Sequence, residues 1–279
     1  MITFQKFKFG KSGLGNLLFQ YAGVRMYAEK HGYTMAMPPW IGNSIFTHVP
    51  AWTLSDRVRS FFHTRIQLAD MQSYTKKDAI RWLFSSSKHP LPHTHTISDL
   101  YDHPQDHIDL FGYLQDEFSL HLLKKNRDQI QTWFQFADSV QTHMKTLTQG
   151  KTPWVGLHIR KGDFSTLGID LPISHYQEAL ATVQKEFPHH NVFIATNDQS
   201  VLTHFKDIPL LVIPYSHSTI PSYVMDFWML RHADAIISGG STFSWWAAFL
   251  NTKAHFYSAP LTHTWKRGEL PRIIRTTLS

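Results

Sequence analysis

The feature that most limits the fold is a regular alternation that begins at Trp154. Residues 154–159 read as a buried strand, and 174–187 as a helix that Pro188 ends. Strands follow over 191–196, 210–213, 235–238 and 254–258, with helices over 222–232 and 241–250 between them. Such alternation implies a parallel sheet with helices on both faces. The N-terminal part starts the same way. A strand over 2–9, a glycine-containing turn over 10–15 and a helix over 16–31 precede a strand over 33–37. Gly32 is a natural helix stop. The middle is less regular. Residues 85–107 read as irregular, 108–114 as a strand, 116–125 and 129–147 as helices, and 149–153 as a linker. This gives two α/β domains, 1–150 and 151–279. Ligands of parallel sheets sit beyond the carboxyl ends of the strands, so each strand-to-helix turn is a candidate site.

Composition removes whole classes. The chain of 279 residues is 42% hydrophobic and 17% charged, which excludes disorder and a long coiled coil. It has no cysteine, which excludes a disulfide scaffold, a thiolate metal site and a cysteine nucleophile. No apolar run approaches the roughly 20 residues that span a bilayer, and no leader-like segment opens the chain, so a cytoplasmic protein with peripheral membrane contact is expected. The formal charge of +6 favours an anionic partner. The positive residues are scattered, which argues against nucleic acid and leaves a small phosphate ligand open.

Five turns could carry chemistry. In Leu157-His158-Ile159-Arg160-Lys161-Gly162-Asp163-Phe164, His158 and Arg160 share a strand side. Arg160 can hold a diphosphate bidentately and Lys161 can add a point charge; the alternative is a surface turn with Arg160 paired to Asp163. Ser238-Gly239-Gly240-Ser241-Thr242 opens a helix, where N–H groups and hydroxyls make either an anion site or an ordinary cap. Gly13-Leu14-Gly15-Asn16 lacks the third glycine of a dinucleotide fingerprint. Asn197 or Asp198 caps the next helix, or Asp198 binds a ribose or base. The histidines at 89, 93, 95, 103 and 107 lie among prolines with no carboxylate at ligand spacing, so no metal site is expected.

Together these segments resemble a known family. Gly156 to Phe164, GLHIRKGDF, resembles the arginine motif of fucosyltransferases. Residues 12–22, SGLGNLLFQYA, are similar to the N-terminal signature of the α-1,2-fucosyltransferases, glycosyltransferase family 11. Phe111 to Gln115 is similar to its mid-chain segment, and Met225-Asp226-Phe227 through Ser241 to Ala248 to its C-terminal one. Leu17, Lys161 and Phe164 depart from the residues usual there. The resemblance implies a GT-B fold of two facing Rossmann-like halves, the first mainly for acceptor and the second for GDP-L-fucose. It implies inverting transfer to the 2-hydroxyl of a galactoside with no metal or other cofactor; a lipid-linked surface-polysaccharide precursor is one such glycan. Arg160 would stabilise the departing phosphate, helped by Lys161 and His158. Gly240, Ser241 and Thr242 would hold the nucleotide, Asn197 and Asp198 would stand at its ribose or base, and Asn16 would reach the donor from the other half. For the base, Asp163 is preferred over Asp116, Glu117 and His158. A transferase of another GDP-sugar and a non-catalytic glycan-binding protein are the alternatives.

Overall fold

A computed structural model describes residues 1–5, 13–50, 53–60, 62–69, 95–162, 165, 170–215, 218–259 and 264–265. The chain divides into two compact units, Met1–Ala137 and Asp138–Thr277.

Unit 1 is built on a parallel sheet of β1 (Ile2–Thr3), β2 (Met35–Ala36), β3 (Thr64–Gln67) and β4 (Ile108–Phe111), in the order β2-β1-β4-β3. Helix α1 (Leu14–Lys30) links β1 to β2, and α2 (Gly42–Ile45) and α3 (Leu54–Ser60) lie between β2 and β3. Thirteen of the residues of α1 are buried, which suits a helix with no charged residue before Arg25. His31 caps it, and Gly32 follows at φ +69°, the left-handed stop that glycine allows. Beneath the sheet, Arg65 donates to Asp109 at 2.9 Å, both side chains being buried. Asp109 also accepts from Thr3 Oγ1 at 3.0 Å and the Gln5 amide at 2.7 Å. The buried charge is thus surrounded by donors, as a charge out of water must be.

Beyond β3 the chain departs from expectation. Residues 97–102 of the supposedly irregular stretch form α4 (Ile97–Asp102). The cause is a capping box: Thr96 Oγ1 accepts from the Asp99 amide, and Asp99 accepts from the Thr96 amide. Asp116 caps α5 (Glu117–Lys125). The helix expected over 129–147 is two, α6 (Arg127–Trp133) and α7 (Asp138–Thr148). Between them the chain extends so that Phe136 bridges Phe46, and Phe134 packs on Phe46 at 5.1 Å. Core aromatics override helical periodicity there, and the division between units falls at that break.

Unit 2 opens with α7. Its Gln141 accepts from the Trp228 indole at 3.1 Å, and His143 meets Ser218 Oγ at 3.1 Å. The sheet contains β5 (Trp154–Ile159), β6 (Asn191–Thr196), β7 (Ala235–Ser238), β8 (His255–Ser258) and β9 (Thr264–Trp265), ordered β6-β5-β7-β8-β9. All pairs are parallel except β8 with β9. The run expected as a strand at 210–213 makes one parallel bridge, Leu210 to Val192. Helix α8 (Ile173–Glu186) links β5 to β6, and a 3₁₀ helix (Gln199–Phe205) follows β6. Helices α9 (Ser222–Arg231) and α10 (Thr242–Leu250) flank β7 in sequence. β5 is buried throughout and its alternate residues face opposite layers. Val155, Leu157 and Ile159 share a core with Tyr176, Leu180 and Val183 of α8. Trp154, Gly156 and His158 face α9 and α10: the Trp154 indole donates to the Met229 carbonyl, and a Cβ on Gly156 would stand 2.8 Å from Leu230. This is the α/β architecture expected from the alternation.

Candidate active site

In unit 2, β5 is followed in sequence by β6 on one side and flanked by β7 on the other. The chain direction therefore switches between β5 and β7. In open parallel sheets the ligand crevice lies at such a point, outside the carboxyl ends. The turns that leave those two ends are Arg160-Lys161-Gly162 and Gly239-Gly240-Ser241, the two motifs singled out above.

His158 and Ser238 are register partners on β5 and β7, one residue pair before the crevice. His158 is buried, and its Nδ1 lies 3.0 Å from Ser244 Oγ. Ser244 Oγ lies 2.5 Å from Ser238 Oγ, which accepts from the Gly240 amide at 3.1 Å. Burial first, and Arg160 second, depress the His158 pKa to about 3, so the ring is neutral at working pH. The sequence placed His158 beside Arg160 as a donor contact. It lies instead beneath the turns, tying β5, β7 and α10 together.

Arg160 continues the α10-facing side of β5 and stands half-buried just past its carboxyl end. The turn that carries it is held from the side by Asn197. The Lys161 amide donates to Asn197 Oδ1 at 2.8 Å, and Asn197 Nδ2 donates back to the Lys161 carbonyl at 3.1 Å. Gly162 has φ +62°, and a Cβ there would lie 2.9 Å from Asn197 Nδ2. Asn197 thus clamps the turn. Lys161 Nζ donates to Asp170 Oδ2 at 2.6 Å and to the Leu171 carbonyl at 2.9 Å. Its charge is drawn back along its own loop, and the Lys161 and Ser165 hydrogen bonds hold the Asp170 carboxyl below its ordinary range. Asp198 caps the 3₁₀ helix, accepting from Ser200 N at 3.0 Å and Ser200 Oγ at 2.7 Å, which lowers its pKa. Asp163 and Phe164 lie outside the described residues.

Across the crevice, Ser241 caps α10 by accepting from the Phe243 amide at 3.3 Å, and Thr242 starts the helix. Gly240 has φ +90°, and a Cβ on Gly239 would fall 2.1 Å from the Tyr176 hydroxyl. Both positions require glycine. The result is a helix start with backbone N–H groups at the end of β7 and a guanidinium past the end of the neighbouring β5, groups whose chemistry suits an anion.

One further group stood in the C-terminal motif without a role of its own. Asp226, on α9, accepts from the Tyr215 hydroxyl, and burial raises its pKa to about 6. Its neighbour Phe227 stacks edge-on against Phe243 at 5.3 Å, and Phe243 lies 5.1 Å from the His158 ring. The available signal was a lone carboxylate in the apolar run VMDFWML.

Unit 1 has the same kind of switch, between β1 and β4. Asn16 and Gln115 come together there, with Gln115 Nε2 donating to Asn16 Oδ1 at 3.0 Å. Asp116 accepts from Ser119 N and Oγ, and Glu117 stands in the first turn of α5, so both serve that helix start. His89 and His93 lie outside the described residues; His95 pairs its backbone with Gln67, and His107 contacts Asp106 at 3.2 Å. Among the described residues no group of three or more metal-ligating side chains occurs.

Two parallel α/β units, each with motif-bearing turns at its switch point, define a GT-B type glycosyltransferase fold. Residues 11–269 match glycosyl transferase family 11, and the chain belongs to that family. The O-antigen biosynthesis glycosyltransferase WbnK of Escherichia coli is 25% identical over 158 residues, covering 51% of this chain. The matched part spans about half the length of that relative, 50%. The fold is similar to fucosyltransferase NodZ from Bradyrhizobium, with a TM-score of 0.58 at 15% identity, covering 95% of this chain and 97% of that one. It is also similar to POFUT1 in complex with GDP-fucose, with a TM-score of 0.58 at 11% identity, covering 94% and 98%.

Proposed function

We propose that this protein transfers L-fucose from GDP-L-fucose to the 2-hydroxyl of a galactoside within a glycan, with inversion and without a metal. The observation that carries the reading is Arg160 at the carboxyl end of β5, beside the Gly239-Gly240-Ser241 turn that opens α10. A departing GDP gathers negative charge, and a fixed guanidinium with helix-start N–H groups stabilises it in place of Mg²⁺. In this reading unit 2 holds the donor. Ser241, Thr242 and the Gly240 backbone meet its phosphates, and Asp198 and Asp226 offer carboxylates to its nucleoside. Lys161, His158 and Asn197 keep Arg160 in position: through the Asp170 pair, from below, and from the side. Unit 1 holds the acceptor, and Asn16 keeps the donor-contact role that the motif resemblance implies. Family 11 membership and the likeness to NodZ and POFUT1 support the donor; NodZ, an α-1,6-fucosyltransferase, has been soaked with GDP-fucose. The 2-hydroxyl and the galactoside rest on the motif resemblance.

Asp163 is the proposed base. Asp163→Asn should lower turnover by about 10²-fold or more with GDP affinity intact, the usual scale for loss of a general base. No described helix is long and apolar enough to cross a membrane. A lipid-linked acceptor would bring the enzyme to the membrane surface from the cytoplasmic side. The deciding experiment incubates the protein with GDP-fucose, with and without EDTA, and galactose-terminated glycans. An α-1,2-linked product, formed equally with EDTA, is expected. Turnover of another GDP-sugar alone, or binding without transfer, would overturn the reading.

A further inference from the structure

Four polar contacts meet beneath the unit 2 crevice. The Gly240 amide lies 3.1 Å from Ser238 Oγ, and Ser238 Oγ lies 2.5 Å from Ser244 Oγ. Ser244 Oγ lies 3.2 Å from the Ser241 carbonyl and 3.0 Å from His158 Nδ1. Ser238, Ser244 and His158 are all buried. A hydroxyl has one proton to give and two lone pairs to fill. The direction of each bond therefore follows from one end of the chain. The Gly240 amide can only donate, so Ser238 Oγ accepts there. Among the described residues the Ser238 hydroxyl has one acceptor, Ser244 Oγ, and its proton goes to it. The Ser241 carbonyl can only accept, so its contact takes the Ser244 proton. Ser244 then has nothing left to give His158, and the last contact is a hydrogen bond only if Nδ1 supplies the proton. This assignment alone makes all four contacts hydrogen bonds; the reverse, with Ser244 donating to Nδ1, makes three.

A neutral imidazole carries one proton. With it on Nδ1, Nε2 is a bare lone pair. His158 is only 5% exposed, yet Nε2 has no hydrogen-bond partner among the described residues and is not sealed off. On the same side of β5, Gly156 and Trp154 pack against α9, and β6 and β7 flank the strand. The open direction is past the carboxyl end of β5, where the crevice lies. Burial and Arg160 oppose a second proton on the ring, and Phe243 lies against it at 5.1 Å. From its place beneath the turns, the ring thus shows the crevice one acceptor.

We propose that Ser244 is a positioning residue that fixes His158 as the Nδ1–H tautomer, so that Nε2 presents a lone pair to an O–H or N–H donor of the nucleotide sugar. This role rests on the reading that unit 2 holds GDP-L-fucose. A lone pair repels phosphate oxygens, so the diphosphate is left to Arg160 and the start of α10. The hydrogen-bond donor belongs to the nucleoside or to the transferred sugar; to Nε2 the chemistry is the same. Ser244→Ala removes the acceptor that holds the proton on Nδ1. Ser238→Ala leaves that acceptor in place.

Protein labelled with ¹⁵N-histidine reads the ring directly. The His158 signals, among those of 19 histidines, are the ones that vanish in His158→Asn. At neutral pH the wild-type ring should carry its proton on Nδ1 and leave Nε2 bare. Ser244→Ala should move a large share of the proton to Nε2, while Ser238→Ala keeps it on Nδ1. A wild-type ring protonated at Nε2, or a tautomer unmoved in Ser244→Ala, would overturn the proposal. Added ligand should shift the Nε2 signal. A shift with GDP places the hydrogen-bond donor on the nucleoside, and a shift with GDP-fucose but not GDP places it on the fucose. No shift with either would overturn the proposal. These wild-type readings stand even if Ser244→Ala does not fold. In kinetics Ser244→Ala should lower kcat/KM by about tenfold, the scale of one lost hydrogen bond; an unchanged kcat/KM would count against the role as fully as an unmoved tautomer. Absence of fucose transfer by wild type would defeat the functional reading, and the tautomer and the Nε2 shift would still decide this one.

Discussion

The two sheets differ in strand order but share a switch point beside the first strand, with different chemistry there. In each, the first strand is flanked by its successor on one side and by a later strand on the other. In unit 2 the crevice is lined by a guanidinium and a helix start, and the group buried beneath it, His158, is neutral. In unit 1 the crevice is lined by two carboxamides, and the group buried beneath is a charge pair, Arg65 with Asp109. The lesson is that a shared switch point fixes where a ligand goes, while the side chains at the two strand ends fix its charge. In the reading proposed above, the diphosphate site keeps competing charge out of the layer below, and the site for neutral hydroxyls tolerates a charge pair there because its lone pairs are satisfied.

The largest effect should come from breaking the unit 1 pair. Arg65→Ala removes the ion-pair partner of the buried Asp109, a change that typically costs about 3–5 kcal/mol. Urea denaturation would read it; a change below about 1 kcal/mol would mean that Thr3 and Gln5 suffice for Asp109. Next is the charge at the unit 2 crevice. Arg160→Ala should lower turnover by about 10²–10³-fold and weaken GDP binding, as loss of a donor at developing charge usually does; near-normal turnover removes Arg160 from the site.

Acid should expose the difference between the buried groups. The folded-state pKa of His158 is depressed to about 3, so the unfolded chain takes up the proton first. Stability is full above about pH 6.5 and declines as pH falls toward 3. The decline is about 2 kcal/mol between pH 6.5 and 5 from this residue, at 1.36 kcal/mol per unit. His63 in unit 1, also depressed by burial, adds in the same direction. His158→Gln should make the acid limb shallower but not abolish it, and an unchanged limb would show that the ring is not the source. Gly239→Ala should cost about 1–3 kcal/mol as an overpacked site, because its Cβ would meet Tyr176. Gly13→Ala, with nothing within 4 Å, should leave the melting temperature in place. The smallest loss among these sites is that of Asp198→Ala, with Gly13→Ala as the neutral control. Loss of its cap costs about 1 kcal/mol of stability; a GDP affinity that falls far more would show that the carboxylate also meets the nucleoside.

Much of this was legible in the sequence, for identifiable reasons. The strands at 154–159, 191–196 and 235–238 were read at both ends because each is a short apolar run between polar or proline breaks. Ser241 and Asp198 were legible as caps because the hydroxyl or carboxylate stands right before the helix. What failed was either hidden by its local surroundings or imposed from far away in sequence. The capping box at Thr96 was hidden by the histidines and prolines around it. The break at 134–137 is imposed by Phe46, far back in the chain. Arg160 and Lys161 look alike on paper. Only the fold shows that Asp170 engages the lysine, that Asn197 grips the turn, and that His158 belongs beneath the site. Asp226 shows its raised pKa only once the fold buries it, burial outweighing the lowering effect of the Tyr215 hydrogen bond.

The break between α6 and α7 has a consequence for anyone who would exchange modules among such proteins. The tempting seam is the glycine–proline stretch after Thr148. A cut there would strip unit 2 of Gln141 and His143, leaving the Trp228 indole and Ser218 Oγ without those partners, and would uncover the faces that Val140 and Met144 now shield. The seam that respects the packing lies between Ala137 and Asp138, so a graft of the donor-side module should carry α7 with it.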